Sequence, residues 1–169
     1  MELRPANFPE ILRLLRNAGV DFVLIGGGAA LAHGSAYVTY DVDVVYRRSP
    51  ENLECLVAAL KPHNPYLRGA PPGLPFRWDA ETIGHGLNFT LTTDLGDLDL
   101  LGYVTGGGTY EDLVDRSIEI EAFGVHFLCV DLPKLIDLKR AAGRSKDLAI
   151  LAELYSLLEE TDPDTPQDR

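Results

Sequence analysis

Apolar positions recur along this chain in two alternating styles, helical stripes and short strand-like runs, and the changes of style divide it into elements. Phe8 to Ala18 is predicted to be a helix, opened by Asn7 with Glu10 three residues on and stopped by Gly19. Val20 to Ile25 is apolar apart from Asp21 and predicts a short buried strand. Gly26, Gly27 and Gly28 interrupt it, and Ala29 to His33 resumes as a helix. The run V-T-Y-D-V-D-V-V, residues 38–45, predicts the next strand. On it Thr39, Asp41, Asp43 and Val45 share one face, because successive strand side chains point to opposite sides. A further helix is bounded by Ser49-Pro50 and Lys61-Pro62.

Residues 62–80 hold five prolines and two glycines. A loop of that length inside a compact domain is either functional or a sign that it hides elements of its own. It reads as substrate-facing, with Trp78 either a stacking platform or, the preferred reading, a pin against the core. Leu87–Leu91 and Asp97–Leu101 read as a hairpin turning at Asp94-Leu95-Gly96. A glycine loop then leads into a short helix capped by Thr109. Ile118–Ile120 and Val125–Val130 are expected to pair around Gly124, and two helices capped by Asp131 and Ser145 follow, separated by Gly143. The pattern is α/β: one domain over residues 1–160 and a polar tail over 161–169 with no core to join.

The most informative chemistry is the pair Asp41 and Asp43. Their Cβ atoms would stand ~6.6 Å apart on one strand face. Two bare carboxylates so placed repel each other and gain nothing from an apolar sheet. A solvated strand face would tolerate them; so would a hard divalent cation such as Mg²⁺, which binds one or two carboxylates together with substrate phosphates. The preceding glycines let backbone N–H groups approach an anion, although a tight turn alone would also call for them. The loop lacks both G-x-G-x-x-G and G-K-[ST], so neither a Rossmann nor a P-loop site is indicated.

Strand, G-G, short helix and D-x-D together resemble the nucleotidyltransferase superfamily that includes DNA polymerase β and the minimal nucleotidyltransferases. The resemblance implies a mixed central β-sheet flanked by helices, with C-terminal helices. It implies a triphosphate cradle at Gly26, Gly27 and Gly28 and a metal pair at Asp41 and Asp43. A third carboxylate is expected on the 97–101 strand. Asp97 and Asp99 share a face there, and Asp99 is assigned by resemblance because it lies deeper in the strand. The implied cofactor is Mg²⁺, two ions, with Mn²⁺ as a substitute, and the implied substrate is an NTP. I-G-G-G-A-A-L-A-H-G, G-D-L-D-L-L-G and L-I-D-L-K-R-A-A-G-R-S-K-D look like the AbiEii-type toxins of type IV toxin–antitoxin systems, over about residues 20–155. That similarity implies a tRNA 3′ end as acceptor and an antitoxin protein as partner. A protein hydroxyl, a small molecule such as an aminoglycoside, or a non-catalytic nucleotide sensor on the same fold are the alternatives. The chain departs from many relatives at Tyr37, where they carry an arginine.

Composition adds limits. No apolar run is long enough for a membrane span and no secretory signal is evident, so a cytoplasmic enzyme is expected. Cys55 and Cys129 lack metal-ligand spacing and read as buried thiols. A formal net charge of −11 excludes nucleic-acid binding through general charge. Lys134, Lys139, Arg140, Arg144 and Lys146 nevertheless cluster within thirteen residues, either as a phosphate site or as a solvated helix face. Leu132, Leu135, Ile136 and Lys139 fall at helical spacing, which puts Lys139 on the inward face. It either snorkels to water or serves the carboxylates and a triphosphate. Arg144, Lys146 and Asp147 join the nucleotide site by resemblance; helix-dipole stabilisation also accounts for Asp147. His33 reads as a helix-ending residue rather than a base.

Overall fold

The computed structural model describes residues 4–161. Seven strands form one mixed sheet in the order β3-β4-β5-β2-β1-β7-β6. The strands are β1 (Phe22–Ile25), β2 (Asp41–Tyr46), β3 (Tyr66–Leu67), β4 (Asn88–Thr93), β5 (Gly96–Leu101), β6 (Ser117–Ala122) and β7 (Val125–Val130). The helices are α1 (Phe8–Asn17), α2 (Gly26–Ala32), α3 (Pro50–Leu60), α4 (Ala80–His85), α5 (Tyr110–Val114), α6 (Leu132–Ala142) and α7 (Ser145–Thr161). The expected mixed sheet with flanking and C-terminal helices is present.

Alternation builds the core. Val42 and Val44 of β2, Leu98 and Leu100 of β5, and Leu91 of β4 are fully buried. They belong to one apolar cluster with Leu53, Leu56 and Leu60 of α3 and Ile83 of α4. The opposite face of β2 and β5 carries Asp41, Asp43, Asp97 and Asp99 toward one end, with buried Val45 and partly buried Leu101 continuing the apolar cover beyond them. Asn52, buried at the start of α3, accepts from the Asp21 N–H at 2.7 Å and donates to the carbonyls of Asp21 and Arg47. It thereby ties the entry of β1 to the exit of β2.

Several boundaries differ from the sequence expectation. The glycine segment is no loop: Gly26 turns the chain at φ +67° and is already the first residue of α2, which runs straight off β1. β2 begins at Asp41, and Val38 is largely exposed. Residues 62–80 are not one substrate-facing loop. A 3₁₀ turn (Lys61–His63) and the two-residue β3 pair that stretch onto β4, and the Trp78 indole donates to the Val57 carbonyl at 3.0 Å. Trp78 is the pin and not the platform. The short helix α4 was not apparent in the sequence. The expected tail lies outside the described residues beyond Thr161. Among the described residues no helix is long and apolar enough to cross a membrane.

Candidate active site

β2 and β5 run parallel with Asp41 opposite Asp97 and Asp43 opposite Asp99. The register therefore places four aspartates on one sheet face. Asp41, Asp43 and Asp99 each offer an oxygen within 4.8 Å of the others. Asp97 stands outside that group, its side chain more exposed than that of Asp99. Burial, then the charge of Asp41, then contact with Asp99 hold the Asp43 carboxyl well above its ordinary pKa, with Lys139 pulling the other way. Asp99 is also raised, chiefly by burial, against the opposing effects of its hydrogen bond with Asp43 and of Arg68. Three oxygens held together at this electrostatic cost are the hard donor set that a divalent cation takes.

The glycines fit around this group by contact. A Cβ on Gly26 would fall on the Asp43 carboxylate, and one on Gly27 would meet Thr39 Oγ1 at 2.5 Å. Gly28 is different: it is buried, a Cβ there would meet the Phe8 ring at 2.7 Å, and it does not border the cavity described next. Its need for glycine is core packing rather than a cradle.

Beside the carboxylates opens a cavity of about 400 Å³, bordered by Gly26, Gly27, Tyr37, Lys139, Arg144 and Asp147, among others. Lys139 does not snorkel. Its side chain is 14% exposed and its Nζ lies 3.3 Å from Asp147 Oδ1. Arg144 grips the same carboxylate through Nε at 2.6 Å and Nη2 at 3.2 Å. Burial alone would raise the Asp147 pKa, but Arg144 and Lys139 outweigh it and hold Asp147 below its ordinary value. Asp147 is thus a buried anchor for two cations that border the cavity. Lys146 borders the cavity from an exposed position. The rest of the basic cluster disperses, Lys134 to the Gly106 carbonyl and Arg140 to the Tyr155 hydroxyl. Tyr37, half-exposed on the rim, donates to the Ala149 carbonyl at 3.3 Å. Ser35 and the Ala36 N–H bond Glu153, which straps this rim to α7.

His33 ends α2 and its Nε2 lies 2.8 Å from the Val130 carbonyl, away from the carboxylates. Cys129 is buried and its thiol is pushed up to about 12; Cys55 is partly buried.

Arg68 escaped the sequence reading. It lies just beyond β3, with Nη2 2.8 Å from Asp99 Oδ1 and Nε 3.2 Å from Asp97 Oδ2. A faint signal existed: Tyr66-Leu67-Arg68 is strand-like and precedes Gly69, but proline on both sides hid it.

By sequence, no protein-family profile and no curated protein matches the chain. By structure it is similar to the lincosamide antibiotic adenylyltransferase LnuA with lincomycin bound, at a TM-score of 0.59 and 15% identity, covering 89% of this chain and 96% of that one. It is also similar to the Thermotoga maritima protein TM1012, described as a nucleotidyltransferase, at a TM-score of 0.52 and 15% identity, covering 88% and 94%. The chain therefore shares its fold with these two proteins over nearly nine-tenths of its length.

Proposed function

We propose that the chain is a Mg²⁺-dependent nucleotidyltransferase that moves NMP from an NTP to an acceptor hydroxyl. The observation that carries this reading is the oxygen triad of Asp41, Asp43 and Asp99, set against the Gly26-Gly27 turn at the mouth of a cation-lined cavity. These three residues would hold the metal, which when bound neutralises charge on the phosphates and on the attacking oxygen. Gly26 and Gly27 let the triphosphate approach the backbone. Lys139 and Arg144, braced by Asp147, balance its charge, with Lys146 at the rim. The acceptor oxygen bonds to the α-phosphorus, the bridging bond to the β-phosphate breaks, and pyrophosphate leaves with the electron pair. The acceptor proton passes to Asp99.

Two acceptors have support. The resemblance to AbiEii-type toxins favours a tRNA 3′ end, and with it a toxin role and an antitoxin partner. The likeness to a lincomycin-bound adenylyltransferase favours a small-molecule hydroxyl. Incubating the protein with labelled NTPs, Mg²⁺, and total tRNA, cell-extract protein or a small-molecule pool tests both. Label in tRNA supports the toxin reading, and label in the small pool supports the second. Bound NTP with no transfer to RNA, protein or small molecules contradicts catalysis and favours a nucleotide-sensing module.

A further inference from the structure

The sheet orders the site along one axis. Gly26 ends at β1, Asp41 and Asp43 lie on β2, Asp97 and Asp99 on β5, and Thr90 and Thr92 on β4 face them across the next ladder. Arg68 closes the row. Its backbone N–H donates to the Thr90 carbonyl at 2.9 Å, and Thr90 pairs with Asp99. The cations of the cavity approach the carboxylates from the α6–α7 side, whereas Arg68 reaches Asp99 from β3 and does not border the cavity. On its own face Asp99 meets the carboxylates of Asp43, with which it shares a hydrogen bond, and of Asp41, with Asp97 two residues away. The cation paired with it is Arg68.

We propose that Arg68 is a positioning residue for Asp99, holding that carboxylate in the orientation in which it takes the proton of the acceptor hydroxyl. This rests on the nucleotidyl-transfer reading above. The guanidinium is itself fixed. Nη2 is shared between Asp99 Oδ1 and the Leu91 carbonyl, each at 2.8 Å, and Nε sits against Asp97. A rigid planar fork spans two carboxylates at once, which a lysine ammonium at the end of a flexible stem does not reproduce. Nη2 is committed to these two acceptors, Nε makes an ion contact but no hydrogen bond with Asp97, and Arg68 does not border the cavity, which separates it from the cations set for the triphosphate. Misplacing a reacting group by about 1 Å costs on the order of 10²-fold in rate, so an Asp99 freed to turn loses chemistry without losing the NTP.

The test compares wild type with Arg68→Lys and Arg68→Gln. It measures Mn²⁺ binding by electron paramagnetic resonance, the KM for NTP, and kcat for transfer to total tRNA or to lincomycin, whichever the wild type labels. The positioning role predicts that both variants lose at least about tenfold in kcat. It also predicts an NTP KM within about twofold of wild type and Mn²⁺ binding that is retained, tightened in Arg68→Gln because a competing cation has gone. Unchanged kcat in Arg68→Gln overturns the proposal. Full kcat in Arg68→Lys overturns it too, since charge alone would then suffice. Mn²⁺ binding weakened tenfold in both variants shows that Arg68 merely builds the metal site. A raised NTP KM at normal kcat moves Arg68 to the nucleotide. A wild type that labels neither acceptor removes the transfer reading itself, which is a different failure from variants that match an active wild type.

Discussion

Asp43 is held in a setting that disfavours its own charge, and this has measurable consequences. Its folded-state pKa lies above the ordinary carboxylate value, and so does that of Asp99. The metal-free folded state therefore binds more protons than the unfolded chain between the ordinary value and the raised ones. The stability associated with these two groups is fully present below the ordinary value and is lost as pH rises through the raised values. Thermal unfolding of the metal-free protein across that window should show a decline that Mg²⁺ suppresses; a decline of equal size with and without Mg²⁺ would separate the carboxylates from metal binding. For the same reason Asp43→Ala should keep or gain thermal stability, lose Mn²⁺ binding and lose transfer by at least about 10²-fold. A heat-labile variant would make the pair structural, and a stable, active one would end the metal-site assignment. Lys139→Met separates substrate charge from packing. It leaves the buried Asp147 with Arg144 alone, so a loss of roughly 1–2 kcal/mol in stability is expected, below that for a fully unpaired buried charge. Transfer should fall by about 10²-fold while Mn²⁺ binding survives. Near-normal transfer would confine Lys139 to bracing Asp147.

At the scale of elements, periodicity made most of the architecture legible. Caps at Asn7 and Asp131 operate as read, each side chain accepting from the backbone N–H three residues on, and Ser49 caps α3 in the same way; Ser145, expected as a cap, is instead the first residue of α7. Alternation correctly placed Asp41 with Asp43 and Asp97 with Asp99. What it could not supply was register between strands, because β2 and β5 are far apart in sequence and their pairing is a tertiary fact; only that register brings Asp99 opposite Asp43. α2 was misjudged because three glycines look like a loop, whereas contact and not flexibility demands two of them: Gly27 against Thr39, Gly28 against Phe8. Gly27→Ala accordingly forces the first turn of α2 away from Thr39, just ahead of β2. Urea unfolding should show a loss of roughly 1–3 kcal/mol, typical of overpacking, with weaker NTP binding. Unchanged stability would mean that α2 gives way freely and that the close approach is not required.

For the whole molecule, the formal charge of −11 and the local cavity cations describe two different surfaces. The thirteen-residue basic cluster looked like one patch in sequence. The helices disperse it, sending only Lys139, Arg144 and Lys146 to the cavity, because residues on successive helical turns face different neighbours. A fixed site of two braced cations suits a compact triphosphate better than a long polyanion, which gains affinity from many phosphate contacts. Arg68 shows the limit of reading such a site from sequence: its function depends on a two-residue strand too short to carry a period. The central claim is that the α-phosphoryl group with its nucleoside, and not the γ-phosphate, is moved. The most direct measurement gives the protein and Mg²⁺ the same NTP labelled at either the α or the γ position, with total tRNA and small-molecule acceptors present. Nucleotidyl transfer predicts label on an acceptor from the α-labelled NTP alone, with unlabelled acceptor in Asp43→Ala; acceptor labelled from the γ position, or equal labelling by Asp43→Ala, would contradict it.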